Sequence, residues 1–322
     1  QFATLNDAPI GESIEANGAN LTLIATTVYA RGNGNSYGVI SLGNSSTAEA
    51  ESTSLSDYVS LDVIDSYIQA RGFAISGNGL RHCTDISITG STIISEEGAA
   101  IYHPQYGNLS ILGSSNSITG SSGIEMRPGS LVVEGGTITA TGDPFASDPN
   151  GNGSTTDGAA IAIVQHTTKL AIDVALNGGT YTGNRAIYEE NLQNNTEEDI
   201  DKIALNVNGG TYNGELLTKD LSGYVRGGQF SELPAEEAFA DNYEGVEYNG
   251  YYVVIESTTD DTAALLAARA NAQADVKAYA ASLGVKWQEI VNAAADAESE
   301  NYEEAVLVVN MYDAIGSALS ES

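Results

Sequence analysis

Basic residues are scarce in this chain of 322 residues: 12 Lys and Arg stand against 43 Asp and Glu, a formal net charge of −31. A surface that negative repels phosphate backbones, so nucleic acid is not an expected partner. Bare anionic lipid is disfavoured for the same reason. Cysteine is nearly absent: Cys83 stands alone, which excludes an internal disulfide framework and a thiolate metal cluster. No run of 18 apolar residues occurs, so insertion of a helix into a membrane is not expected. The chain opens at Gln1 rather than Met and reads as processed or trimmed, with any signal peptide removed. No Gly-x-Ser-x-Gly elbow, P-loop or dinucleotide fingerprint stands in a suitable context. His82 sits beside Cys83, but no second pair completes a four-ligand metal site.

What is present is a β-rich composition with 35 Gly and 17 Tyr but only 5 Lys, and 42% hydrophobic residues to fill a core. That profile suits a secreted protein better than a cytosolic enzyme. Internal repetition is the dominant signal. Leu21-Thr-Leu-Ile-Ala-Thr-Thr-Val-Tyr-Ala-Arg-Gly32 lies over Leu61-Asp-Val-Ile-Asp-Ser-Tyr-Ile-Gln-Ala-Arg-Gly72 with coincident apolar positions. The pattern returns from Ile86, Leu109, Leu131, Val174, Leu205 and Gly223, giving eight copies that end at Phe230. The undisturbed spacings are 25, 23 and 22 residues, from Leu61 to Ile86, Leu109 and Leu131 in turn. Segments of that length that alternate with period two and are studded with Gly hold three short strands and three turns. Each strand then bonds its counterpart one coil away at ~4.8 Å. The expected fold is therefore mainly β: a right-handed parallel β-helix, a single-stranded solenoid of about eight coils, over residues 1–230. Longer spacings locate three excursions, at Gly43–Asp57, Asp143–Asp157 and Asn191–Asp201.

Past Phe230 the pattern changes. Asn249-Gly250 reads as a hairpin turn between short strands, so residues 231–257 are expected to cap the solenoid. Residues 258–322 are poor in Gly and rich in Ala, Glu and Asp, with three segments at helical period. A small three-helix bundle is expected there, serving as a solubilising tail or as a docking module for a partner or oligomer.

Candidate chemistry gathers in four polar motifs that recur in successive coils. Counting back from each following strand aligns Tyr102, Glu125, Val164 and Tyr188, then His103, Met126, Gln165 and Glu189, then Gln105, Arg127, His166 and Glu190. Strand alternation turns one row inward and its neighbours outward. A ligand-binding stripe is expected from Tyr102, His103, Gln105, Glu125, Arg127, Gln165, His166, Tyr188 and Glu190. Tyr rings could stack a sugar while polar neighbours bond its hydroxyls. Glycoside hydrolysis would need two carboxylates at ~5–9.5 Å, and Glu125 with Glu189 or Glu190 is marginal for that. Inter-coil hydrogen bonding among the same side chains is the plainer alternative. Asp148-Pro-Asn-Gly-Asn-Gly153 matches the start of a calcium loop, with Asp148, Asn150 and Asn152 as candidate ligands. Ala159 stands where that loop's bidentate Glu belongs, so Asp157 would have to substitute. Apart from Ca2+ at this loop, no cofactor is expected.

Phe73-Ala-Ile-Ser-Gly-Asn-Gly79, Ala100-Ile-Tyr-His-Pro-Gln105, Gly123-Ile-Glu-Met-Arg127, Gly158-Ala-Ala-Ile-Ala-Ile-Val-Gln-His166 and the Gly-Gly-Thr-Tyr turns carry a resemblance. They look like those of secreted bacterial surface proteins with Gly-Gly-Thr-Phe/Tyr repeats, found also in related phage-encoded proteins. The resemblance covers roughly residues 60–257 and implies a β-helix at a cell or virion surface, with no catalytic residue to carry over. The expected function is a non-enzymatic extracellular scaffold or adhesin with a glycan ligand. A polysaccharide lyase or hydrolase on the same fold is the first alternative. A phage receptor-binding or decoration protein is the second.

Overall fold

The computed structural model describes residues 3–5, 14–16, 19–30, 38–43, 58–77, 83–149 and 153–256. The chain divides into two units, Gln1–Glu256 and Ser257–Ser322. The helical bundle expected over 258–322 lies outside the described residues.

The first unit is a parallel β-solenoid with three strands per coil. One complete coil runs through Cys83–Thr89, Thr92–Ser95 and Ile101–His103. Each strand pairs in parallel with its equivalents one coil before and one coil after, so three faces form. The first face stacks seven strands, from Leu21–Ile24 through Ile203–Val207. Its register is Leu21, Leu61, Ile86, Leu109, Leu131, Val174, Leu205, the alignment expected from sequence. On the second face Val28, Ile68, Ile93, Ile118, Ile138, Tyr181, Tyr212 and Phe230 share one row. The third face aligns Ile40, Ile75, Ile101, Ile124, Ile161 and Ile187. These rows point inward and make one continuous buried core. The alternation that places them there is the strand's own period of two.

The interior changes character along the axis. Aliphatic ladders fill most of it, but towards the C-terminal end Tyr181, Tyr212 and Phe230 stack face to face. Their ring centroids lie 4.8 and 4.6 Å apart, with 10° between planes in both pairs. The buried hydroxyls are satisfied locally: Tyr181 donates to Gly178 O at 2.6 Å and Tyr212 to Gly209 O at 2.7 Å. A Gly-Gly-Thr-Tyr turn thus supplies both the ring and the carbonyl that its hydroxyl needs. At the corner between first and second faces, side chains take over the inter-coil bonding. Thr26 N donates to Ser66 Oγ, Ser66 N to Ser91 Oγ and Ser91 N to Asn116 Oδ1, each at 3.0 Å. Between second and third faces Thr180–Glu189 and Thr211–Thr218 run through without a break, which joins those two faces into one sheet.

Ala3–Leu5 pairs with Thr27–Ala30 and Ile14–Ala16 with Ile40–Leu42, so solenoid pairing begins before Leu21. These segments are three residues each, too short to register as a repeat. The cap is a hairpin of Tyr243–Tyr248 and Tyr251–Glu256, turned at Asn249 and Gly250, whose φ values are 54° and 81°. Its second strand pairs antiparallel with Gln229–Phe230 and occupies the edge of the last coil.

Candidate functional site

The third face carries the polar stripe, with a corrected alignment. Tyr102, Glu125, Ala162, Tyr188 and Leu217 form one row, and His103, Met126, Ile163, Glu189 and Thr218 the next. Val164 and Gln165 therefore lie two residues past the places expected for them. Counting back from the next strand presumes corners of equal length, but Met126 precedes Leu131 by 5 residues and Ile163 precedes Val174 by 11.

The first row does point away from the core, yet Tyr102, Glu125 and Tyr188 are buried, because other segments lie over them. Phe73 stacks on Tyr102 with centroids 5.3 Å apart. Burial pushes the Tyr102 hydroxyl up to about 12. Residues 154–156 of the Asp143–Asp157 excursion lie over Glu125, whose carboxylate accepts from Thr155 N at 3.0 and 2.9 Å and from Thr156 N at 3.1 Å. The hydroxyls of Ser154, Thr155 and Thr156 donate to it as well, at 2.9, 3.0 and 2.8 Å. Arg127 Nη1 reaches Glu125 Oε1 at 3.3 Å and Gly153 O at 3.0 Å. Phe145, from the same excursion, packs on Tyr188 at 4.8 Å and lies under Arg185 at 4.9 Å. Ala162, Val164 and Leu192 complete a small apolar cluster there.

Of the expected stripe, Tyr102 and Glu125 are register neighbours and Arg127 pairs with Glu125. His166 is held neutral, down to about 4, by burial and by Arg127. Its Nδ1 accepts from Thr168 N at 3.2 Å, which places the proton on Nε2. The other candidates serve the coil itself. His103 faces Pro128 O through Nδ1 at 3.2 Å and Thr84 Oγ1 through Nε2 at 3.1 Å. A carbonyl can only accept, so Nδ1 carries the proton and Nε2 accepts the hydroxyl. Burial lowers that ring to about 4. Gln105 donates to Leu42 O at 2.8 Å, and Gln165 donates to Asp199 O at 2.8 Å while accepting from Asn195. Glu190 takes the Tyr188 hydroxyl and pairs with Lys219 at 2.5 Å. Burial alone would raise Glu190, but Lys219 and Tyr188 outweigh it and hold it below the usual carboxylate range.

Of the calcium-loop residues, Asn150 and Asn152 lie outside the described residues. Asp148 is exposed, and its N–H donates to Thr155 O at 2.7 Å across the short pairing of Ala146–Ser147 with Thr156–Asp157. Among the described residues no three His, Cys, Asp or Glu side chains gather as a metal ion would require.

A cleft lies elsewhere, at the corner where the third face passes to the first. It has a volume of about 230 Å³ and is lined by Tyr106, Gly107, Asn108, Gly129, Ser130, Ala171 and Asp173. Asp85, Asn108, Ser130 and Asp173 occupy one row in consecutive coils. Asp85, Asn108 and Asp173 are exposed. Ser130 donates to Asn108 Oδ1 at 2.7 Å. The floor is backbone: Gly107 and Gly129 have φ of 126° and 86°, and a Cβ on Gly107 would stand 1.9 Å from Thr84 O. Reasoning from sequence passed over this row, although each member immediately precedes an aligned core residue (Ile86, Leu109, Leu131, Val174). Comparison with protein-family models, curated proteins and solved structures finds no match for this chain. The resemblance to repeat-bearing surface proteins thus stands on the repeat residues and the solenoid, with no family shown.

Proposed function

We propose that the protein is a non-enzymatic extracellular scaffold, an adhesin at a cell or virion surface, that binds carbohydrate in the Tyr106 cleft. We take its coils to wind right-handed, the hand that parallel strand–crossover–strand connections adopt. The observation that carries the reading is the cleft itself. One aromatic residue stands beside a polar row repeated at ~4.8 Å, a spacing close to the length of one sugar in an extended chain. Tyr106 supplies a ring face, Asn108 N–H donors and Asp173 a carboxylate acceptor, the set that a sugar's hydroxyls and C–H faces require. The covered stripe supports binding over catalysis. Glu125, the central acid of the hydrolase alternative, spends both oxygens on residues 154–156. A net charge of −31 suits a surface-displayed scaffold.

A glycan array probed with the full chain and with Tyr106→Ala tests this. Retention of at least one carbohydrate by the wild type, and its loss in the variant, is the expected result. Equal retention by both proteins would place binding outside the cleft.

A further inference from the structure

We infer that the cleft takes a neutral polysaccharide laid parallel to the solenoid axis, and that Asp173 is the residue that rejects acidic chains. This rests on the carbohydrate reading above and specifies its substrate class.

The direction follows from register. Asp85, Asn108, Ser130 and Asp173 belong to four successive coils, so their row runs along the axis. From Asp85 to Asp173 is three coil spacings, roughly 14 Å, enough for about three sugars end to end. A chain crossing the row would meet one coil and forfeit the others. Gly107 and Gly129 line this path beside the row, and neither position accepts a Cβ, because Thr84 O and Gly107 O stand 1.9 and 2.4 Å from where it would be.

The charge follows from the ends of the row. Both carboxylates, Asp85 and Asp173, are exposed, and among the described residues no basic side chain lines the cleft. A uronic acid polymer carries a carboxylate on every residue, so any register along the row sets like charges close together. The net charge of the whole chain, −31, has the same sign as that repulsion. A neutral chain meets no such penalty. Its vicinal hydroxyls can both donate to Asp173, while the Asn108 amide donates to a ring or hydroxyl oxygen.

Calorimetric titration of the full chain with cellotetraose, chitotetraose and tetragalacturonate tests the inference. At least one neutral tetrasaccharide is expected to bind, more tightly than its disaccharide, and tetragalacturonate is expected not to bind. Asp173→Asn should weaken the neutral ligand about tenfold and bring tetragalacturonate closer to it. The substitution leaves the exposed position structurally undisturbed, which unchanged circular dichroism would verify. Tetragalacturonate binding the wild type as tightly as the neutral ligands, with or without calcium, overturns the inference but leaves carbohydrate binding standing. Neutral affinity indifferent to both Asp173→Asn and Asn108→Ala overturns it as well. Absence of binding by all three probes removes the carbohydrate reading and the inference together.

Discussion

The backbone N–H of Thr155 is shared between both carboxylate oxygens of Glu125, thirty residues away, at 3.0 and 2.9 Å. Glu125 points out of the coil, so without the excursion it would be a solvated surface acid. With residues 154–156 folded over it, the carboxylate becomes the acceptor that fixes the excursion to the third face.

Removing that acceptor is therefore expected to be costly. Glu125→Ala strands the donors of residues 154–156 and leaves the fully buried Arg127 without its counter-charge. A loss of about 3–5 kcal/mol is predicted, measured by chemical denaturation. A change below ~1 kcal/mol would mean that the excursion is held by something else.

The aromatic stack makes a second prediction. Tyr212 lies between Tyr181 and Phe230 and is fully buried. Tyr212→Ala should cost about 3–5 kcal/mol. Tyr212→Phe keeps both ring contacts and loses only the bond to Gly209 O, so it should cost about 1 kcal/mol. The ratio between the two variants separates stacking from hydrogen bonding.

Glu189 gives a pH dependence with a defined sign. Burial pushes its carboxyl up to about 7, although Lys219 N and Asp220 N donate to Oε2 at 3.0 and 2.9 Å. A raised folded-state value means that the folded chain binds a proton which the unfolded chain has already released. The contribution is full below the ordinary value of about 4.5 and is lost as pH rises through about 7. Stability should therefore fall between those values, by an amount on the order of 3 kcal/mol from this group. Glu189→Gln should flatten that slope in urea denaturation curves taken across the window. A slope unchanged by the substitution would assign the dependence to other groups.

Gly107→Ala tests how closely the coils approach. With φ of 126° and Thr84 O 1.9 Å from the added Cβ, the strand must shift or the coils must part. A destabilisation above about 2 kcal/mol is predicted from thermal unfolding.

Much of the fold was legible because the core repeats in sequence. The row from Leu21 to Leu205 could be aligned by eye, since each coil spends the same apolar pattern on the first face and Gly marks its turns. The hairpin at Asn249-Gly250 was legible for a similar reason: that dipeptide favours a turn with positive φ at both positions. The site was harder. Register on the third face depends on corner lengths, and the long corner after Ile163 displaced Val164 and Gln165. Burial of the stripe was hidden because Phe145 lies over Tyr188 and residues 154–156 lie over Glu125, a tertiary event without local periodicity. Aromatic stacking was half visible: the Gly-Gly-Thr-Tyr turns stood out as turns, while the inward direction of Tyr181 and Tyr212 came from alternation that had been spent on aliphatic residues. The Asn108–Ser130–Asp173 row could have been found from the first-face alignment by reading one residue back from each core position.

The most direct measurement is a crystal structure of the chain soaked with the neutral tetrasaccharide that binds it best. Sugar density running along the axis beside Tyr106 and over Asn108, Ser130 and Asp173, with residues 153–156 still closed on Glu125, is the predicted result. Sugar lying on Glu125 and Tyr188, with that excursion displaced, would contradict it.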